Sequence, residues 1–314
     1  MDYELHFKSS VLYAQLSNDG RFLYYAGYYV SVYDMLHKKT IQKMEKTRNS
    51  GVYLSHNGKI LACPRFINST KFEIDFFEVG DTLKEKFKVF LPEYFNAAKP
   101  CFTKDDHYFL FPGYHGKCKL WRIDCDTGIC ETIYQTEQPG SIIRSCQTSD
   151  VGILLSIYSN DGNVNEFNII LLSDDGKILK KVTFDAQEET LHVPFQAFLL
   201  NDSDVLILYP LRNQRTAVQI VNIKKTSVIQ MDLNNNLIDG SSNCLESKIS
   251  PNGEYLAWII SISCVIVYAI DGFRLIYKND FSEYINNIFF STDSKHLIVC
   301  EKSLHIITLN ERLP

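Results

Sequence analysis

Sulfur and imidazole come first among the groups that could do chemistry, because Cys118, Cys125 and Cys130 fall close together with His115 just ahead of them. Thiolates and imidazole nitrogens are the donors zinc takes, but this spacing matches no zinc-binding pattern. Cys125 and Cys130 flank the Asp126-Thr127-Gly128 turn, where a hairpin makes them neighbours anyway, so they read as structural thiols. Asp105-Asp106-His107 has the composition of a ligand triplet, yet it occupies a turn position that recurs along the chain and reads as a solvated hairpin. The sequence contains no G-x-S-x-G, H-E-x-x-H, Gly-rich phosphate loop or paired C-x-x-C motif. We therefore assign no catalytic, cofactor-binding or metal-ligating residue and expect no cofactor.

Charge and composition narrow the partners. A net charge of −5 gives no global positive field to draw the chain onto nucleic acid or an acidic membrane. Lys38-Lys39, Lys180-Lys181 and Lys224-Lys225 are isolated pairs at strand ends, where they protect edges. The longest uncharged run, Tyr255 to Ile270, falls short of the roughly 20 apolar residues a spanning helix needs and reads as two adjoining buried strands, so no membrane insertion is expected. Met1 to Lys8 carries acids and alternates in polarity, unlike a secretory leader, and nine cysteines embedded in apolar stretches suit reduced thiols. A cytoplasmic location is the expectation, which makes the sequons at Asn68 and Asn201 chance occurrences.

These residues must be positioned by something, and the chain repeats. An apolar residue, a small polar residue, a variable position, Asp or Asn, usually Gly, and then an apolar run recur: Leu16-Ser17-Asn18-Asp19-Gly20, Leu54-Ser55-His56-Asn57-Gly58 and Ile249-Ser250-Pro251-Asn252-Gly253. Weaker copies begin at Phe102, Leu199 and Phe290, and one at Cys146 needs an inserted residue to align. The mean spacing of about 46 residues is that of a propeller blade. Asp/Asn-Gly supplies the positive φ of a tight hairpin, and a third strand follows most copies, as in Val30 to Asp34 and Lys119 to Asp124. A content of 13% aromatic residues, 18 Tyr and 20 Phe, suits strands.

The expected fold is all-β, a single seven-bladed β-propeller over residues 1–314 with four antiparallel strands per blade. Its blades begin near residues 9, 50, 95, 140, 193, 243 and 284. After the seventh copy one strand is missing, while Tyr3-Glu4-Leu5-His6-Phe7 alternates and has no place in the first blade. Residues 2–8 are thus expected to pair with the last blade and close the ring, removing its open edge.

On the blade period and the S-x-D/N-G turns the chain resembles the WD40-like family of seven-bladed propellers over essentially its whole length. It lacks that family's Gly-His and Trp-Asp signatures, the places of the latter holding Tyr33-Asp34 and Trp121-Arg122, so the family's buried hydrogen-bond network is carried over to no blade. The resemblance implies either a binding platform or an enzyme with a site at the central channel. Missing catalytic motifs favour a non-catalytic module that binds a protein or peptide, with a lactonase-like hydrolase as the alternative. Loops opposite the S-x-D/N-G turns would carry the binding face: Tyr28, Arg65, Phe66, Tyr94, Phe95, Tyr114, His115, Arg212, Arg215 and Tyr284. Aromatic and Arg side chains anchor interfaces because they bury large areas with few rotamers.

Overall fold

The structure is a computed structural model that describes residues 3–6, 11–27, 29–44, 51–68, 71–91, 94–95, 98–115, 117–137, 140–160, 165–185, 196–210, 215–226, 228–230, 237–239 and 246–309. These form seven successive antiparallel sheets, the arrangement of a seven-bladed β-propeller, and the one helical element among them is a 3-10 turn at Asp271–Phe273.

The chain divides into two compact units, Met1–Leu91 with Asn243–Pro314, and Pro92–Ser242. The first holds blade 1 (Tyr13–Leu16, Phe22–Ala26, Val30–Asp34, Lys39–Lys43) and blade 2 (Tyr53–Leu54, Ile60–Asn68, Lys71–Val79, Leu83–Leu91). It also holds blade 6 (Glu246–Ile249, Tyr255–Ile259, Cys264–Ala269, Arg274–Asp280) and blade 7 (Asn287–Phe290, His296–Cys300, Ser303–Thr308). The outer strand of blade 7 is Tyr3–His6, with Tyr3 opposite Ile306 and His6 opposite Ser303. Closure by the N-terminal segment is therefore as the sequence led us to expect.

The second unit departs from four strands per blade in two places. In blade 3 both Tyr94–Phe95 and Cys101–Phe102 pair with Tyr108–His115, so the first strand is split; Lys117–Asp124 and Cys130–Gln135 follow. Blade 4 (Ile142–Ser149, Gly152–Asn160, Asn165–Leu172, Ile178–Asp185) gains Val228–Gln230, paired in parallel to Ile178–Asp185. That strand interrupts blade 5 (Gln196–Leu199, Asp204–Pro210, Arg215–Asn222, Leu237–Asp239) and covers the outer edge of blade 4. Sequence reading did not foresee it, because three residues with two branched aliphatics carry no sign of which sheet they join.

The repeated turn explains why the hairpins form where they do. In blade 1 the Ser17 hydroxyl donates to Asp19 Oδ1 (2.6 Å) and accepts from the Phe22 N–H (2.8 Å), while Arg21 N–H donates to Asp19 (3.0 Å). The same three bonds recur at Ser55/Asn57, Thr103/Asp105, Ser250/Asn252 and Ser291/Asp293. The residue after the Asp/Asn sits at positive φ, +71° at Gly20 and +72° at Gly58, where glycine carries no Cβ penalty. Blade 4 differs: Ser149 pairs directly with Gly152, so its turn is tighter than the aligned copy at Cys146 predicts. Blade 5 uses Asn201, whose side-chain oxygen accepts from the Ser203 and Asp204 N–H groups.

A second repeated device lies between third and fourth strands. The register shifts at Val32/Tyr33, Phe76/Phe77, Leu120/Trp121, Leu171/Leu172 and Val267/Tyr268, a bulge that sharpens the twist at the same point in five blades. Within each unit, neighbouring sheets pack on one another. Blades 1 and 2 share Phe22, Tyr24, Val32, Leu61, Cys63 and Phe77; blades 6 and 7 share Tyr255, Val265, Ile288 and Val299. In the other unit blades 3 and 4 meet through Leu110, Leu120 and Leu155, and blades 4 and 5 through Phe167, Phe184 and Ile207. Burying each such side chain contributes roughly 1.5–3 kcal/mol, which makes the sheet-to-sheet seams the main source of rigidity.

Candidate functional site

Of the ten side chains expected on a binding face, Arg65, Phe66 and Tyr284 are described in full. Tyr94 and Phe95 form one short strand, Tyr94 lies opposite Tyr114, His115 ends the strand Tyr108–His115, and Arg215 opens Arg215–Asn222, so these are placed by backbone. Tyr28 and Arg212 lie outside the described residues. Tyr284 is 54% exposed between blades 6 and 7, while Arg65 and Phe66 stand together on blade 2.

Blade 2 is where chemistry concentrates. Its second and third strands are nine residues each, against five for the equivalent pair in blade 1, so its hairpin runs longer towards the residue 68–71 end. Alternation puts Glu73 and Asp75 on one face, with Arg65 opposite Glu73 on one side and Lys88 opposite Asp75 on the other. Arg65 Nε is 2.7 Å from Glu73 Oε1 and 3.2 Å from Asp75 Oδ2, and its Nη2 also donates to Glu73. Lys88 Nζ lies 3.4 Å from Asp75 Oδ1 and 3.3 Å from Glu85 Oε2.

Both carboxylates are buried, and burial sets them apart. Burial, with the hydrogen bond and charge of Glu73 added, pushes the Asp75 carboxyl up to about 6 despite Arg65 and Lys88. Burial also raises Glu73, but the hydrogen bonds from Asp75 and Arg65 outweigh it and hold that group below its ordinary value. Asp75 is thus the member of the pair that keeps a proton at mildly acidic pH, and it donates that proton to Glu73. At neutral pH two anions face two cations, and the ion pairs link the three strands Ile60–Asn68, Lys71–Val79 and Leu83–Leu91.

Two apolar side chains stand exposed beside this cluster. Phe90, opposite Glu73 on the outer strand, is 63% exposed, and Ile67 beside the register shift at Phe66/Asn68 is 47% exposed. Phe66 itself leans edge-on against Phe72 with ring centroids 4.9 Å apart. In the other unit a solvent-open pocket of about 60 Å³ lies between blades 3 and 4, lined by Ser141, Ser159, Glu166, Asn168 and Lys181 among others.

Sequence reading named Arg65 and Phe66 for a binding face and did not single out Glu73, Asp75 or Lys88 beside them. The signal was present in Phe72-Glu73-Ile74-Asp75-Phe76-Phe77, where two acids alternate with large apolar residues in a strand buried on both faces. It also missed the grouping of Glu4, Glu301 and His305, which only the pairing of Tyr3–His6 with Ser303–Thr308 brings together. The Cys118, Cys125 and Cys130 grouping lies in blade 3: Cys118 and Cys125 are buried, and burial pushes the Cys130 thiol up to about 11. No protein-family profile matches the chain, and no curated protein resembles it in sequence.

Proposed function

We propose that the protein is a non-catalytic, cytoplasmic interaction module, WD40-like in kinship, that presents its long inter-strand hairpins to a protein or peptide. The observation that carries this reading is the blade 2 hairpin, in which exposed Phe90 and Ile67 flank the buried carboxylates Glu73 and Asp75, held by the partly exposed Arg65 and the exposed Lys88. A surface built this way combines a stiff backbone with apolar groups that gain by leaving water, the pairing that protein interfaces use. Little ordering entropy opposes docking when the hairpin is already fixed. The hydrolase alternative would draw on the Glu73–Asp75 pair, but both carboxylates are engaged by Arg65 and Lys88, and we place it second.

The test is quantitative capture from native extract with the wild type and with an Ile67→Ser, Phe90→Ser double variant. Proteins retained by the wild type and lost from the variant, at equal thermal stability of the two baits, support the reading. Identical captured sets from both baits would remove blade 2 from it.

A further inference from the structure

The seam that closes blade 7 carries a set of side chains that the platform reading does not use. Glu4 and His305 are direct cross-strand partners, and His6 stands opposite Ser303, so alternation places all four on one face of the sheet. Glu301, in the turn before Ser303–Thr308, is 2% exposed. Its Oε2 accepts from the Glu283 N–H (3.2 Å), and its Oε1 accepts from Ser303 Oγ (2.9 Å) and lies 2.6 Å from His305 Nε2. Ser303 Oγ is 3.0 Å from the same ring nitrogen and 3.3 Å from Glu4 Oε1. Phe281 packs edge-on against the His305 ring at 5.0 Å and fixes its plane.

A serine, a histidine and a buried glutamate suggest a nucleophilic triad, and the geometry rejects it. A triad needs the acid on one ring nitrogen and the hydroxyl on the other, whereas here both meet Nε2. The arrangement suits a cation. One oxygen from Glu4, one from Glu301 and one imidazole nitrogen all lie within 4.8 Å of one another, and they come from the N-terminal strand, a turn and the last strand. The Glu283 N–H holds Glu301 through its other oxygen, as the outer partners of metal ligands do, while the Ser303 hydroxyl stands within 3.3 Å of all three donor atoms and ties them together. His6 Nε2, 3.6 Å from Glu4 Oε1, stands within reach of a fourth position.

We propose that Glu4, Glu301 and His305 bind a first-row divalent cation, zinc in first place, which clamps the N-terminal strand onto the last blade. Two carboxylates and an imidazole are among the oxygen and nitrogen donors zinc accepts, and the count of three leaves a position for water or His6. On binding, the metal takes the place of the proton between Glu301 and His305: bonds form from it to Oε1 and Nε2, and the proton passes to water. The inference stands independently of the proposed partner face.

The experiment is calorimetric titration of the full chain with zinc chloride in excess magnesium, with hydrogen exchange followed in parallel. We expect one site, a rise in Tm with zinc, and slower exchange of the amides of residues 3–6. His305→Ala should abolish the site, and Ser303→Ala should weaken it roughly tenfold. Glu4 is exposed, so Glu4→Gln will fold and should still weaken binding. Cobalt in place of zinc should show no thiolate charge-transfer absorption. Absence of zinc binding by the wild type, unchanged affinity in Glu4→Gln and His305→Ala, or thiolate absorption that assigns the ion to cysteines would each overturn the proposal.

Discussion

Asp75 shows how one buried carboxyl fixes the sign of a pH effect. With its value raised from 3.8 to about 6, the folded protein holds a proton between pH 4 and 6 that the unfolded chain has released. Stability contributed by this group is complete below pH 4, falls as pH rises through 6, and stays lower above it. Asp75→Asn, which mimics the protonated state, should raise stability at pH 8 by about 1–3 kcal/mol and flatten that slope, as denaturant melts at pH 4, 6 and 8 will record. Arg65→Ala should do the reverse, costing roughly 3 kcal/mol at pH 8, because it leaves two buried acids with Lys88 alone.

At the scale of the element, the Ser-x-Asp/Asn turn was legible because its chemistry is local: one hydroxyl and one carboxylate or amide satisfy the backbone of the same few residues. Ser291→Ala should cost about 1–2 kcal/mol by removing a donor to Asp293 and an acceptor for the His296 N–H. The recurrent bulge was half legible. It precedes an aromatic residue in four of five blades, Tyr33, Phe77, Trp121 and Tyr268, and the sequence displays the ring but not the shift in pairing. What stayed hidden depends on long-range pairing: the strand Val228–Gln230 joins blade 4, and Lys88 meets Asp75 across a sheet whose register no local residue announces. Removing residues 2–8 takes the outer strand from blade 7 and Leu5 from the side chains around Val11 and Ile306, which should cost roughly 2–4 kcal/mol and lower Tm measurably in a calorimeter.

For the molecule as a whole, stability is distributed over sheet-to-sheet seams, as in repeat proteins whose units are stable chiefly through their neighbours. Phe77→Ala, at the seam of blades 1 and 2, should cost about 3–5 kcal/mol and loosen both blades together, visible as faster amide exchange in Phe22–Ala26 and Ile60–Asn68. The period of the seven sheets was readable because every copy repeats the same corner, whereas no periodicity marks which side chains from distant copies will meet. The seam in blade 7 joins Glu4 to a serine 299 positions further along the chain. A ribosome working at roughly 5–20 residues per second needs about 15–60 s to make that interval. Throughout it Tyr3–His6 has been synthesised without its mate, so this pairing is among the last that the seven sheets can complete, and anything that captures that strand before Ser303–Thr308 emerges holds it back.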